Sequence, residues 1–380
     1  MKKTYLMTFL PRNSIDGKVK NIIVSTFDGI PYVRDFVYML QNVDETGKAK
    51  WIALNRTSDL YWPNEPFYVS PIQEGTNLQS LFGKYGSVLI PSGFLVPSKN
   101  YGAIYQYTFQ QRYVPELNNG NPALLTCRMY VPMEPWYSQK REMVLLTPPD
   151  GTTSDDQWKE LILSKTGCDI FFRVVDLNGD GIFEILTADF FQSQLNMFWI
   201  NKGGSWLNPS DIKQRTIDST IGMVFDLVVL DLDYDGQLEM VVTNHMSEDK
   251  GALYIYKVPS DIYQGNWIRE TIYDNFPIRK TGISQAAPGI GHPFRINPKN
   301  KNSPWWIAVS GDGSEFAYLF APSSSQNSTL PKYELVWQNN FKGTVGTVYI
   351  DDVDNNGIPD MFVCSYDHGQ LIQYEIFGNN

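Results

Sequence analysis

Short runs of strand-forming residues, each bounded by Gly, Pro, Asn or Asp, recur along almost the whole chain. No run keeps an apolar period of 3.6 through three turns, so the pattern predicts little helix and an all-β fold. The rhythm is clearest over 158–376. Phe171–Val175, Phe183–Ala188 and Leu195–Ile200 read as strands, as do Asp226–Leu230, Leu238–Thr243, Ala252–Lys257 and an outer strand at Trp267–Ile272. A third unit reads Trp305–Ser310, Phe316–Phe320 and Tyr333–Trp337, and a fourth Val345–Ile350, Met361–Ser365 and Leu371–Ile376. The first half is less regular. Its runs at Asn21–Ser25, Val33–Leu40, Ser87–Pro91, Ile104–Phe109, Leu124–Tyr130, Met143–Leu146 and Trp158–Leu163 are separated by stretches such as Pro115–Pro122 and Pro148–Ser154.

Units of roughly 40–60 residues with about four short strands each are the mark of a propeller blade. Spread over residues 1–380, this spacing predicts one β-propeller domain of four-stranded antiparallel blades, seven in number or six where connections are long. Strand-like runs at Thr4–Leu10 and Leu371–Ile376 are expected to share one blade and so close the ring without bare edges.

Three acidic loops interrupt the apolar pattern at matched places. They run from Asp176 to Glu184, from Asp231 to Glu239 and from Asp352 to Asp360, with first residues 55 and 121 positions apart. Side-chain oxygens fall at positions 1, 3 and 5 (Asp176, Asn178, Asp180; Asp231, Asp233, Asp235; Asp352, Asp354, Asn356), and a carboxylate at position 9 (Glu184, Glu239, Asp360). Position 6 is Gly, which turns the backbone without a Cβ clash. The position-7 carbonyls of Ile182, Gln237 and Ile358 complete an expected oxygen set. A hard cation such as Ca²⁺ asks for six to eight oxygens around a sharp turn, so about three Ca²⁺ ions are expected. The helical Ca²⁺ loop is excluded: it needs a carboxylate at position 12, which here is Thr187, Val242 or Val363 between strands. Gly311-Asp312-Gly313 reads as a tight hairpin turn instead.

Charge follows from these loops. The formal net charge is −10, and the loops alone carry ten carboxylates. Such a balance argues against nucleic acid, whose phosphates need clustered Lys and Arg. No apolar run is long enough for a transmembrane helix.

The segments Val175–Gly181, Leu230–Gly236 and Asp352–Gly357 resemble the FG-GAP/VCBS-type repeat family, over about residues 158–376. The resemblance implies a calcium-binding β-propeller similar to integrin-like adhesion ectodomains, fungal lectins and the propeller parts of some carbohydrate-active lyases. It implies a module that binds carbohydrate or protein. A carbohydrate-active lyase or hydrolase working in the axial cavity is the alternative, and a structural or adhesive part a third reading. An extracellular location is implied by the family. The start, Lys2-Lys3 followed by Thr4–Leu10 and Pro11, has the order of a signal peptide, but it lacks a cleavage site of small residues and reads as a strand.

Catalytic candidates are few. No nucleophile elbow, zinc-binding helix motif or phosphate-cradling loop is present. Of three histidines, His245 follows the strand at 240–244, His292 falls in a Gly-rich connection, and His368 in a hairpin turn. His245 and His292 are the candidate general bases. Aromatic residues near turns, among them Tyr61-Trp62, Trp136-Tyr137, Trp199, Trp206, Trp267, Trp305-Trp306 and Tyr366, could stack on sugars, though packing between blades explains most. Cys127, Cys168 and Cys364 show no disulfide pattern and read as buried thiols.

Overall fold

In a computed structural model of the chain, six antiparallel sheets stand as the blades of a single β-propeller. The residues described are 4–10, 21–26, 36–41, 50–53, 67–69, 72–73, 76–77, 87–89, 96–97, 104–132, 140–148, 158–248, 251–279, 286–323 and 330–376. The first blade pairs Thr4–Leu10, Asn21–Thr26, Val37–Gln41 and Lys50–Ala53. The second pairs Ile104–Tyr113, Leu124–Pro132, Lys140–Thr147 and Lys159–Ser164, with Val96–Pro97 added beside the first of these. Phe171–Val175, Glu184–Asp189, Gln194–Ile200 and Ile212–Asp218 make the third; Val224–Leu230, Glu239–Asn244, Leu253–Lys257 and Ile268–Tyr273 the fourth. Gly291–Arg295, Trp305–Ser310, Phe316–Pro322 and Tyr333–Asn340 make the fifth. The sixth has three strands, Val345–Asp351, Asp360–Ser365 and Gln370–Glu375.

Burial explains why these runs look as they do. A blade's second strand lies between two neighbouring blades, and Glu184–Asp189, Glu239–Asn244 and Asp360–Ser365 are buried at every position. Fourth strands face water on one side, and Tyr333–Asn340 alternates strictly between covered and exposed. The core is therefore a set of seams. Leu125, Met143, Phe172 and Phe198 fill the seam of the second and third blades, and Phe171, Leu186, Leu227 and Tyr256 the next. Val241, Ile255, Tyr318 and Phe320 pack between the fourth and fifth, and Phe294, Leu319, Val348 and Met361 between the fifth and sixth. Ile22, Val24, Phe362 and Cys364 join the sixth to the first.

Of the two blade counts expected, six is the one formed: residues 54–103 add only short strands and no four-stranded sheet among the described residues. Phe67–Val69, one of these short strands, lies against the first strands of both the first and second blades. Two other expectations need correction. The ring does not close within a shared blade: Thr4–Leu10 pairs with Asn21–Thr26, Gln370–Glu375 pairs with Asp360–Ser365, and the two blades meet face to face. Finally, Cys127 and Cys168 are joined as a disulfide, their Cα atoms 5.3 Å apart, and only Cys364 remains a buried thiol. The pair is 41 residues apart in sequence and meets only because consecutive blades pack together.

Most other predicted strands are present with ends within two residues of those expected. Ile104–Tyr113, Lys140–Thr147 and Tyr333–Asn340 run three or four residues further, and the strand expected from Val33 begins at Val37. Helix among the described residues is limited to two short 3₁₀ turns at Pro115–Asn118 and Pro209–Asp211. The strands Ile212–Asp218 and Gly291–Arg295 were not predicted. The second of these shifts the fifth blade's register, making Trp305–Ser310 its second strand.

Candidate functional sites: the acidic loops and the axial cavity

Each acidic loop joins the first and second strands of its blade in the same register. The residue before position 1 pairs with the residue at position 9: Val175 with Glu184, Leu230 with Glu239, Asp351 with Asp360. Inside this frame the three loops share one hydrogen-bond scheme. The position-1 carboxylate accepts the Gly N–H at position 6, from Gly181 (2.9 Å), Gly236 (3.1 Å) and Gly357 (3.1 Å). These glycines have φ of +82°, +86° and +95°, the left-handed region where a side chain is strained. Side chains at positions 3 and 5 accept N–H groups two residues on, as in Asp235 N–H to Asp233 Oδ1 (3.2 Å) and Gln237 N–H to Asp235 Oδ1 (2.7 Å). The carboxylate at position 9 accepts the N–H of position 2: Leu177 to Glu184 (3.0 Å), Leu232 to Glu239 (3.0 Å), Val353 to Asp360 (3.2 Å).

In the first two loops those bonds satisfy one oxygen of the position-9 carboxylate and leave the other without a partner. In the third, Asp360 Oδ1 accepts from Gln373 Nε2 (2.9 Å). Glu184 and Glu239 are fully buried, yet Glu184 Oε1, Glu239 Oε1 and Asp231 Oδ1 have no hydrogen-bond partner. Burial, with Asp180 and Asp176 adding repulsion, raises Glu184 to about 7, against the pull of the Leu177 N–H. Burial likewise raises Glu239 to about 7, helped by Asp233 and Asp235. Asp360 is also raised, chiefly by burial. Orphaned anionic oxygens held together are the condition a bound cation would relieve. In the second loop one oxygen each from Asp231, Asp233 and Glu239 lies within 4.8 Å of the others, a cluster able to hold a cation.

The loop tips are tied to the following blades. Asn178 Nδ2 donates to Tyr263 Oη of the fourth blade (3.3 Å). Tyr234 Oη donates to the Ser303 carbonyl of the fifth (2.7 Å) and accepts from Arg295 Nε (3.1 Å). Lys299, in the fifth blade's own first connection, donates to the Asn355 carbonyl of the sixth (2.8 Å).

A second feature lies on the propeller axis. A cavity of about 220 Å³ is lined by first-strand residues of five blades: Arg112; Phe171 and Arg173; Asp226 and Val228; Gly291, His292 and Pro293; Thr347, Val348 and Tyr349. Arg173 Nη2 pairs with Asp226 Oδ1 at 2.9 Å, and its Nη1 donates to the Phe172 carbonyl. His292 packs on Tyr349 with ring centroids 4.6 Å apart. His292 thus lies on an inner strand and faces the axis, not on a surface connection as its Gly- and Pro-rich surroundings predicted.

The histidines do not converge. His245 sits past the end of Glu239–Asn244 opposite the acidic loop, Nδ1 on the Pro288 carbonyl (2.9 Å), Nε2 3.8 Å from Asp312 Oδ2, its ring on Phe225. His368 is held in its hairpin by Ser365 Oγ (3.0 Å). Gly311-Asp312-Gly313 forms the expected turn between Trp305–Ser310 and Phe316–Pro322. Most of the aromatic residues fill seams: Trp206, Trp267 and Tyr366 are buried, Trp305 packs toward the fourth blade and Trp306 toward the sixth. Tyr61-Trp62 and Trp136-Tyr137 lie outside the described residues. Sequence reasoning missed Arg112, Arg173, Asp226 and Tyr349. The available signal was a charged residue inside an apolar inner strand, as in Phe171-Phe-Arg173-Val-Val and Val224-Phe-Asp226-Leu-Val-Val.

Comparison with known proteins bears on the loops first. An FG-GAP-like repeat matches residues 176–242, which covers the first two acidic loops. No curated protein matches the chain at a significant level. Among solved structures, the chain is similar to the NanB sialidase from Streptococcus pneumoniae at 10% identity and a TM-score of 0.43, covering 97% of this chain and 67% of that one. It is similar to the exotype rhamnogalacturonan lyase YesX at 12% identity and a TM-score of 0.44, over 98% and 72%. It is also similar to the GH43 protein BlXynB from Bacillus licheniformis at 12% identity and a TM-score of 0.37, over 90% of this chain but only 56% of the other. Likenesses of this order say nothing about substrate.

Proposed function

We propose that this protein is a calcium-stabilised propeller that binds carbohydrate in its axial cavity. The observation that carries the reading is the convergence of five inner strands on one small cavity with apolar walls and a few polar groups, Arg112, Arg173, Asp226, His292 and Tyr349. Ligand sites are commonly built this way, with orientation set by a handful of polar side chains. Three Ca²⁺ ions would hold the blades that shape it. Asp176, Asn178, Asp180, the Ile182 carbonyl and Glu184 would supply one; Asp231, Asp233, Asp235, the Gln237 carbonyl and Glu239 the second; Asp352, Asp354, Asn356, the Ile358 carbonyl and Asp360 the third. The orphaned inward oxygens of Glu184, Asp231 and Glu239 support that assignment. The Cys127–Cys168 disulfide supports an oxidising compartment. A glycan array probed at millimolar Ca²⁺ tests the reading, and an absence of binding across neutral and acidic sugars would refute it.

A second reading makes the same cavity catalytic, with His292 as general base. His292 beside Tyr349 favours it over His245, which is turned to a seam. Hydrolysis by two flanking carboxylates is the weaker form, because Asp226 is the one acid among the described lining residues and Arg173 holds it. A lyase is the stronger form. Turnover of any polysaccharide that survives His292→Ala unchanged would exclude it.

A further inference from the structure

We propose that the cation site of the second acidic loop is completed from the neighbouring blade by Tyr333, whose hydroxyl holds a water on the bound ion. This rests on the calcium reading above and deepens it for one loop. Tyr333 opens the outer strand of the fifth blade, opposite Pro322 in the ladder, and packs in the same seam as Leu232, position 2 of the loop. The residue is 8% exposed, yet its Oη has no hydrogen-bond partner among the described residues. A buried hydroxyl left in this state costs free energy that a Phe in the same place would not. On the loop side of the seam, Asp231 Oδ1 and Glu239 Oε1 are orphaned as well. A hydroxyl and two carboxylate oxygens, all unsatisfied, thus share one stretch of seam.

The charges of the loop reach this hydroxyl. Burial raises the Tyr333 phenol above its ordinary value, and Glu239 and Asp233 add to the rise. It therefore stays protonated, able both to donate and to accept a hydrogen bond. The loop offers a hard cation Asp231, Asp233, Asp235, the Gln237 carbonyl and Glu239, five residues where six to eight oxygens are wanted. Water ordinarily fills such a shortfall. A cleft of about 580 Å³, lined by Asp233, Tyr234, Lys332 and Tyr333 among others, gives water a way in. A water on a cation turns its protons outward and needs an acceptor, and the phenol oxygen is one with no other claim on it. The first loop differs. The phenol that its next blade offers, Tyr263, is already engaged by Asn178 Nδ2 at 3.3 Å.

Tyr333→Phe in the whole protein tests this with two measurements. Calorimetric titration of chelator-stripped protein with CaCl₂ should show one site weakened about three- to tenfold. In EDTA the variant should melt at or above the temperature of the unaltered protein, because an unsatisfied hydroxyl is gone, and it should gain less from added Ca²⁺. In an Asp233→Ala background the same change should have no further effect on calcium binding. An undiminished calcium affinity, or an equal gain in melting temperature from Ca²⁺, overturns the inference and leaves the calcium reading standing. A loss of affinity that persists in the Asp233→Ala background also overturns it, since the phenol would then serve another loop. No calcium uptake by the unaltered protein removes both.

Discussion

Arg173 and Asp226 meet across the seam of the third and fourth blades, Nη2 to Oδ1 at 2.9 Å, and Asp226 is only 2% exposed. The pair closes one wall of the axial cavity and locks two blades in register. Arg173→Leu should therefore cost about 3 kcal/mol, because it removes a charged partner from a buried carboxylate. Leu at both positions should be markedly less damaging than the single change. Urea midpoints of the two single variants and the double variant measure the coupling, and additive losses would show that the pair does not interact.

Calcium should raise the melting temperature and EDTA should lower it. At a Ca²⁺ concentration a hundred times the dissociation constant, each site adds about 2.7 kcal/mol, because the ion binds the folded chain alone. Asp233→Ala should thus be more costly with Ca²⁺ than without. Equal losses in both conditions would count against metal in that loop.

The metal-free protein should show an inverted acid response. Glu184 and Glu239, with an ordinary value of 4.5, are raised to about 7 in the fold by burial and neighbouring acids. Between those values the folded state binds more protons than the unfolded one, so stability falls as pH rises from about 4.5 to about 7. With saturating Ca²⁺ the decline should vanish or reverse, since the ion takes the place of the protons. Denaturation series at several pH values, with EDTA and with Ca²⁺, check both slopes.

Alkylation before and after reduction should find Cys127 and Cys168 protected together until the disulfide is broken. Closing a loop across 41 residues is worth about 3–4 kcal/mol, so reduction should destabilise the protein by that order. Cys364, buried in the seam of the sixth and first blades, should react only on unfolding.

Gly251 should tolerate no side chain. A Cβ there would strike the Ala287 carbonyl of the neighbouring blade, whereas a Cβ at Gly236 meets nothing within 4 Å and is opposed only by its φ of +86°. Gly251→Ala should consequently destabilise more than Gly236→Ala, which should cost about 1–2 kcal/mol. Thermal melts of the two variants rank them.

How much was legible depended on repetition and on local chemistry. The acidic loops announce themselves because three copies place oxygens at the same offsets, and their hydrogen bonds are as regular as their spelling. Ile212–Asp218 escaped notice because an outer strand facing water, Ile-Lys-Gln-Arg-Thr-Ile-Asp, has too few apolar residues to stand out. Gly291-His-Pro-Phe-Arg295 has the composition of a connection and becomes a strand only because the fifth blade needs an inner edge. That misreading also hid His292 from the axis. Arg112, Arg173 and Asp226 come together from three blades, and no spacing along one segment can encode a meeting of that kind. The disulfide was missed for the same reason.

The side-chain bridges at the loop tips make a hoop. Asn178 to Tyr263, Tyr234 to Ser303 and Arg295, and Lys299 to Asn355 lash four consecutive staves along one rim. A distortion at any one tip is therefore handed to the stave beside it, so this stretch of rim answers as a unit.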